Sequence, residues 1–308
     1  VLWCSRSAMV LELSPEEFTY IGRPWETFLG RWQAIEKALQ DWPSDKEFSC
    51  IDVGSNNGYF SLQAAHRWPK SFVVGLEGAV GVGNGNAGLS RNTQVIVETS
   101  AVRTHLKWLR RLKMENCVIA PEVWDYEMIR EMTKQPLCDL MISLSVVHHI
   151  DTVSEKQYQA KGMEHVDGTI DLLGQIFKLA RTHILELPDN PWLSHMWKVF
   201  PSPKAAILAA CERAGLQPTT MEVVFRNEWY GSREVWHIRF GDLVPVPPAA
   251  LRQRFSAPFL TCNSPLPLED LTEVCEGVKG RTGEPESFTD EDRRLRQELL
   301  DAARIHGQ

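Results

Sequence analysis

Ile51-Asp52-Val53-Gly54-Ser55-Asn56-Asn57-Gly58-Tyr59-Phe60 decides how the rest of the chain is read. The stretch starts inside an apolar run, residues 48–54, and ends in a short helix-like segment, residues 59–68, closed by Pro69. A strand that feeds a helix through a glycine turn is the opening unit of an open α/β sheet. Gly54 can take the backbone angles of a tight turn, and Gly58 lets a ligand or a helix come close. The turn presents backbone N–H groups at a helix N-terminus, which suits a carboxylate. Glu77 ends the next apolar run. A carboxylate at that place can accept hydrogen bonds from both hydroxyls of a ribose.

Outward from the turn the chain alternates. Strand-like runs occupy residues 48–54, 71–77, 116–122, 138–144, 182–188, 221–227 and 234–240. The early ones are almost continuously apolar, as strands buried on both faces should be. Helices are predicted over 59–68, 93–113, 125–133, 167–179 and 202–214, the last ended by Gly215. Within 93–113, the segment QVIV alone looks like a strand, but Val95, Val102, Leu106 and Leu109 form a helical stripe. Five strand–helix repeats imply a parallel sheet with helices on both faces. The last two strands are joined by a short turn at 229–232 and must be antiparallel. The expectation is a doubly wound α/β fold, a mostly parallel seven-stranded sheet with an antiparallel last strand. Residues 1–45 form an N-terminal helical extension or lid, with a helix over 25–39. Residues 46–243 form the ligand-binding domain. Residues 244–308 form a Pro-rich, then charged, C-terminal extension that ends in a predicted helix over 289–305.

Composition narrows the class. The 308 residues are 43% hydrophobic and 24% charged, which excludes disorder throughout. The longest apolar run, near residues 140–147, is far short of the roughly 20 residues of a spanning helix, so no membrane partner is expected. The net charge of −7 argues against nucleic-acid binding by the whole surface and leaves a local basic groove open. Seven cysteines, an odd number with no C-x-x-C pair, do not make a disulfide framework, and a reducing, cytoplasmic setting is expected. Arg6 interrupts the first apolar stretch, so no signal peptide is read there.

The glycine spacing is G-x-x-x-G. A dinucleotide fingerprint wants G-x-G-x-x-G, and Asn56 stands where the second glycine should admit a pyrophosphate. Asp52-x-Gly54-x-x-x-Gly58, followed by Glu77 after the second strand, resembles the first two motifs of the class I S-adenosylmethionine (SAM)-dependent methyltransferases. The seven-strand count with an antiparallel final strand is also that family's. The resemblance covers about residues 48–240 and implies a Rossmann-like domain with SAM as cofactor. Carried over position by position, it places Asp52 near the amino group of SAM. Gly54, Ser55, Asn56 and Gly58 would line the methionine portion, and Glu77 would hold the ribose. It offers Asp125 to the adenine amino group and Trp124 to the ring, although Asp125 reads equally well as the N-cap of the next helix. Ser143, with Leu144 and Ser145, would border the methionine and the transferred methyl. The glycine-rich segment 78–88 departs from the family, which commonly starts a helix there.

His148-His149 follows the fourth strand, at the sheet edge where ligands of open α/β sheets sit. Either imidazole could take a proton from the methyl acceptor, so both are the candidate catalytic residues. Adjacent residues point apart and no further ligand cluster is visible, so no metal is expected. Residues 186–192, His195 and Trp197 could shape the acceptor pocket. Tyr20, Trp25 and Trp32 form a lid or, more ordinarily, a hydrophobic brace. N-P-P-Y/F, which in relatives of the resembled family holds a planar amide or base nitrogen, is absent after the fourth strand, so the resemblance argues against those acceptors. Arg103, Lys107, Arg110, Arg111 and Lys113 make a basic helix face, solvated or in contact with RNA. The expected activity is methyl transfer to a hydroxyl or amine, with a small-molecule acceptor. An RNA-modifying methyltransferase and a non-catalytic binding or scaffold module on the same fold are the alternatives. The sequence carries no reading of the oligomeric state.

Overall fold

The computed structural model describes residues 10–19, 24–78, 91–188, 192–227, 233–253, 255 and 259–264. The elements in chain order are α1 (Pro15–Phe18), α2 (Trp25–Ala38), β1 (Ser49–Val53), α3 (Tyr59–Arg67), β2 (Phe72–Glu77), α4 (Thr93–Val97), α5 (Ser100–Leu112), β3 (Cys117–Pro121), α6 (Tyr126–Met132), β4 (Cys138–Leu144), α7 (Val147–Ala160), α8 (His165–Lys178), β5 (Ala180–Leu187), α9 (Ser194–Trp197), α10 (Pro203–Ala214), β6 (Pro218–Asn227), β7 (Arg233–Phe240) and α11 (Pro248–Arg252). Contacts divide the chain into Val1–Cys262, which holds all of these elements, and Asn263–Gln308.

The sheet has seven strands in the order β3-β2-β1-β4-β5-β7-β6. Strands β1 to β5 pair in parallel, and β7 runs antiparallel to both of its neighbours, β5 and β6. This is the expected doubly wound sheet with an antiparallel last strand. Every residue of β1, β2 and β3 is buried, which is why their sequences are apolar without alternation. One core cluster joins Ile51, Val74, Val118 and Met141 to Tyr158 and Leu172. Another joins Leu185, Trp236 and Ile238 to Phe177, Met196 and Ile207. Helix ends follow local chemistry. The Thr99, Asp125 and Ser202 side chains accept from the backbone N–H groups of Val102, Met128 and Ala205. Gly215 ends α10 in the left-handed region, φ 69°.

The expected single helix over 93–113 is two helices. The Thr99 side chain caps α5, which breaks the helix and changes its register, so Ile96 rather than Val95 is buried. Helix α7 has no counterpart in the sequence reading. Its buried residues, Val147, His148, Ile150, Asp151, Ser154 and Tyr158, recur at helical spacing.

The segment after β7 returns across the sheet. Asp139 in β4 accepts from the Ser49 backbone N–H at 3.2 Å, the Ser49 hydroxyl at 3.3 Å and the Val246 N–H at 3.3 Å. Ser49 Oγ in turn donates to the Val246 carbonyl at 2.6 Å. Further on, Leu260 forms an antiparallel bridge to Ile119. The described cysteines 50, 117, 138, 211 and 262 are free. Among the described residues no helix is long and apolar enough to cross a membrane. The predicted turn at 229–232, the glycine-rich 79–88 and the predicted helix over 289–305 lie outside the described residues.

Candidate functional site

The turn after β1 is tied to the end of β2. Gly54 and Ser55 donate their backbone N–H groups to the Leu76 carbonyl at 2.8 and 3.0 Å. Gly54, Asn56 and Gly58 have φ of 69°, 50° and 83°, so the turn passes through the left-handed region three times. Glu77, buried at the carboxyl end of β2, accepts the Asn56 N–H on Oε2 at 2.6 Å. The fold therefore places the glycine turn and the acid side by side at the carboxyl edge of the sheet.

Both glycines answer to protein packing. A Cβ on Gly54 would lie 2.6 Å from Val146 Cγ2, and one on Gly58 would lie 2.2 Å from the His105 ring. Of the two neighbours the sequence allowed at Gly58, the structure supplies the helix, through His105 of α5. Burial pushes His105 down to about 3, so this ring is neutral.

Asp52 is buried one residue before the end of β1, and its Oδ2 accepts from Ser61 Oγ at 2.6 Å. Burial pushes its carboxyl up to about 7, against the opposing pull of the Ser61 hydrogen bonds. Ser55 and Ser143 are buried at the ends of β1 and β4. Trp124 is buried in the core and stacks on Phe255, ring centres 6.4 Å apart and 18° from parallel. Asp125 takes the N-cap role. Its Oδ1 accepts from Met128 N–H at 3.0 Å, and its Oδ2 pairs with Arg91 at 2.5 Å. Both oxygens of this carboxylate are engaged.

His148 and His149 sit in the first turn of α7 rather than on a strand or loop. Val146, the N-cap of α7 two residues before His148, packs on Gly54, so α7 begins against the glycine turn. The two rings lie 4.0 Å apart, and His148 faces Trp192 at 5.3 Å. Burial holds His149 below its ordinary value, and the Arg233 guanidinium adds to the effect.

Sequence reasoning missed a buried charge group beside them. Arg31 of α2 reaches Glu186 at 2.8 Å, and Arg233 lies 3.8 Å from the same carboxylate. Arg233 also donates to Ser145 Oγ at 3.1 Å. Single arginines with no motif around them carry no signal that they meet. Trp32 braces α2 against Trp68, rings 6.1 Å apart, and Trp25 packs on Tyr59 at 5.3 Å. Tyr20 and residues 189–191 lie outside the described residues. Part of the basic face of α5 is already used, with Lys107 paired to Glu17 at 2.6 Å and Arg111 over the Trp108 ring at 4.7 Å. The fold also gathers Asp151, His165 and His195, which stand too far apart in sequence to be read as a set.

The sheet order, its one antiparallel strand and the acid beside the glycine turn have the layout of a Rossmann-like, class I methyltransferase fold. No protein-family model matches this sequence, and no curated protein matches it. Solved structures similar in fold include methyltransferases. The bifunctional kinase-methyltransferase WbdD is 15% identical with a TM-score of 0.45, matched over 75% of this chain and 43% of that one. Magnesium protoporphyrin IX methyltransferase (ChlM) from Synechocystis PCC 6803, solved with bound SAM, is 15% identical with a TM-score of 0.41, over 68% of this chain and 80% of that one. A SAM-dependent methyltransferase from Aquifex aeolicus is 12% identical with a TM-score of 0.39, over 74% of this chain and 100% of that one. This chain spans less than half the length of WbdD. The likeness concerns the fold alone.

Proposed function

We propose that this protein binds SAM and transfers its methyl group to a hydroxyl or amine of a small-molecule acceptor. The observation that carries the reading is the buried Glu77 carboxylate, held at 2.6 Å by the Asn56 N–H of the glycine turn. A buried carboxylate at the carboxyl end of the second strand is the acceptor that a ribose diol requires. The residues present fit the cofactor on that ground. Bound there, SAM supplies a methyl group already activated by its sulfonium charge.

The chain's own residues then position the acceptor and handle its proton. Glu77 holds the ribose, and the Gly54–Gly58 turn orients the methionine end. His149 accepts the acceptor's proton. Burial and Arg233 keep this imidazole neutral at physiological pH, as a base must be. His148, whose ring lies tilted against those of His149 and Trp192, walls the acceptor side.

Calorimetry with SAM and S-adenosylhomocysteine tests the cofactor assignment. Glu77→Gln keeps a carbonyl for the Asn56 N–H and removes the charge. It should leave thermal stability close to that of the native protein and weaken SAM binding by roughly 1–3 kcal/mol. Native protein that binds no SAM, or a variant that binds as tightly as native, overturns the ribose assignment. With a panel of small phenols and amines, His149→Ala should lose about a hundredfold in turnover at unchanged SAM affinity. The native rate should climb with pH through a pKa below the ordinary imidazole value of 6.5, because only the deprotonated ring is a base.

A further inference from the structure

We infer that Asp151, His165 and His195 form a binding site for one divalent transition-metal ion, with Zn²⁺ the ion their chemistry suits best. The three residues come from α7, α8 and α9, and one ligand atom from each lies within 4.8 Å of the other two. His165 Nε2 and His195 Nε2 stand 2.9 and 3.6 Å from the same carboxylate oxygen, Asp151 Oδ2. A tetrahedral ion with bonds of about 2.0–2.1 Å needs ligand atoms about 3.3 Å apart, and these two distances bracket that edge.

The surroundings orient the donors. The two imidazoles stack with centres 3.8 Å apart and 16° from parallel, with both Nε2 atoms near the same Asp151 oxygen, and binding has to swing the rings out of parallel for both in-plane lone pairs to meet one ion. Asp151 is buried, and its other oxygen, Oδ1, accepts from Thr169 Oγ1 at 2.6 Å. Glu155 lies 4.0 Å from His165 Nδ1, a second carboxylate close to the nitrogen that must carry the proton when Nε2 binds an ion. A neutral imidazole is the ligating form. Binding exchanges two contacts for the ion, His195 Nε2 to Thr169 Oγ1 and His165 Nε2 to Asp151 Oδ2, both at 2.9 Å.

Two imidazoles and one carboxylate select the ion. Mg²⁺ and Ca²⁺ prefer oxygen-only shells, whereas nitrogen with a single carboxylate suits Zn²⁺ and its transition-metal neighbours. Three protein ligands leave a fourth position for water or another oxygen donor, the pattern of an exchangeable site rather than a closed structural one. The His165 and His195 side chains are 33% and 22% exposed, which gives the ion a path from solvent. The site borders the histidine pair, because Asp151 follows His148 by one turn on α7 and Trp192 precedes His195 by three residues.

The test uses the full chain stripped of metal with a chelator, then titrated with Zn²⁺ by calorimetry and with Co²⁺ by visible absorption. The expected result is one ion per chain, a tetrahedral cobalt spectrum without a thiolate charge-transfer band, and a rise in melting temperature on adding Zn²⁺. His165→Gln, His195→Gln and Asp151→Asn should each weaken the affinity at least tenfold and abolish the thermal response. The half-exposed His165 carries the test if Asp151→Asn does not fold. Absence of binding by the native protein overturns the site and leaves a plain ion-pair network. Binding that survives all three substitutions, or that shows thiolate bands, places the ion elsewhere and overturns it equally. None of these readouts requires methyl transfer, so the metal site and the proposed activity stand or fall separately.

Discussion

Asp52 is asked to be an acid in a place that resists its charge. Burial drives its carboxyl from 3.8 up to about 7, although Ser61 hydrogen bonds pull the other way. A carboxyl raised in the folded state adds stability that is fully present below its unfolded value and is lost as pH climbs through the folded value. Between pH 4 and 7, native protein should therefore lose stability that Asp52→Asn does not lose, since Asn keeps an oxygen for Ser61 Oγ. At pH 8 the variant should be the more stable by about 2–4 kcal/mol, and the advantage should vanish near pH 4. Urea unfolding of both proteins at the two pH values checks this, and equal stability at pH 8 would show that water reaches the carboxylate. The placement of Asp52, Gly54, Gly58 and Glu77 around one strand–turn–helix unit was legible because that geometry is local. Asp125 was legible as a cap for the same reason. Arg31, Arg233, His165 and His195 were not, because only the tertiary fold gives them partners. The steric reason for Gly58 was also hidden, since His105 lies on an element that the turn does not predict.

Among the elements, α7 shows where sequence pattern falls short. Val146-Val147 adds two β-branched residues to the apolar run of β4, yet the helix begins there because its buried face packs on the core. Helix α2 is joined to the sheet by a charge as well as by aromatic rings. Arg31, Glu186 and Arg233 are all buried, and two guanidiniums share one carboxylate. Glu186→Gln strands both cations and should cost about 3–5 kcal/mol of folding stability. Arg31→Met should cost less, because Glu186 keeps Arg233 and the methionine stem fills the space of the arginine. Equal losses in denaturant titrations of the two variants would show that Arg233 takes no part of the charge.

At the scale of the whole molecule, the strand count, the parallel pairing and the antiparallel last strand were all legible in the alternation of short apolar runs with helices. The return of the chain after β7 was not. Pro245, Pro247 and Pro248 mark an extension without naming its partners, and Val246 is buried on Asp139 and Ser49. Asp139→Ala leaves the Ser49 and Val246 N–H groups without their acceptor. It should lower stability by about 2–4 kcal/mol in urea unfolding. It should also speed proteolysis within 241–247, and unchanged cleavage there would mean that the proline segment holds its place without Asp139.

The position of β7 bears on how such a chain can be made. The ribosome delivers β5 and then β6, yet the strand that fills the gap between them is β7, the last to emerge. Until residues 233–240 have been synthesised, β5 carries one open edge along a nearly wholly buried, apolar strand, and β6 has no place in the sheet. Open apolar edges are templates for pairing with another copy. A nascent or prematurely terminated product that stops after Asn227 would therefore be the sticky species, while the finished chain seals its own seam with a hairpin inserted in one step.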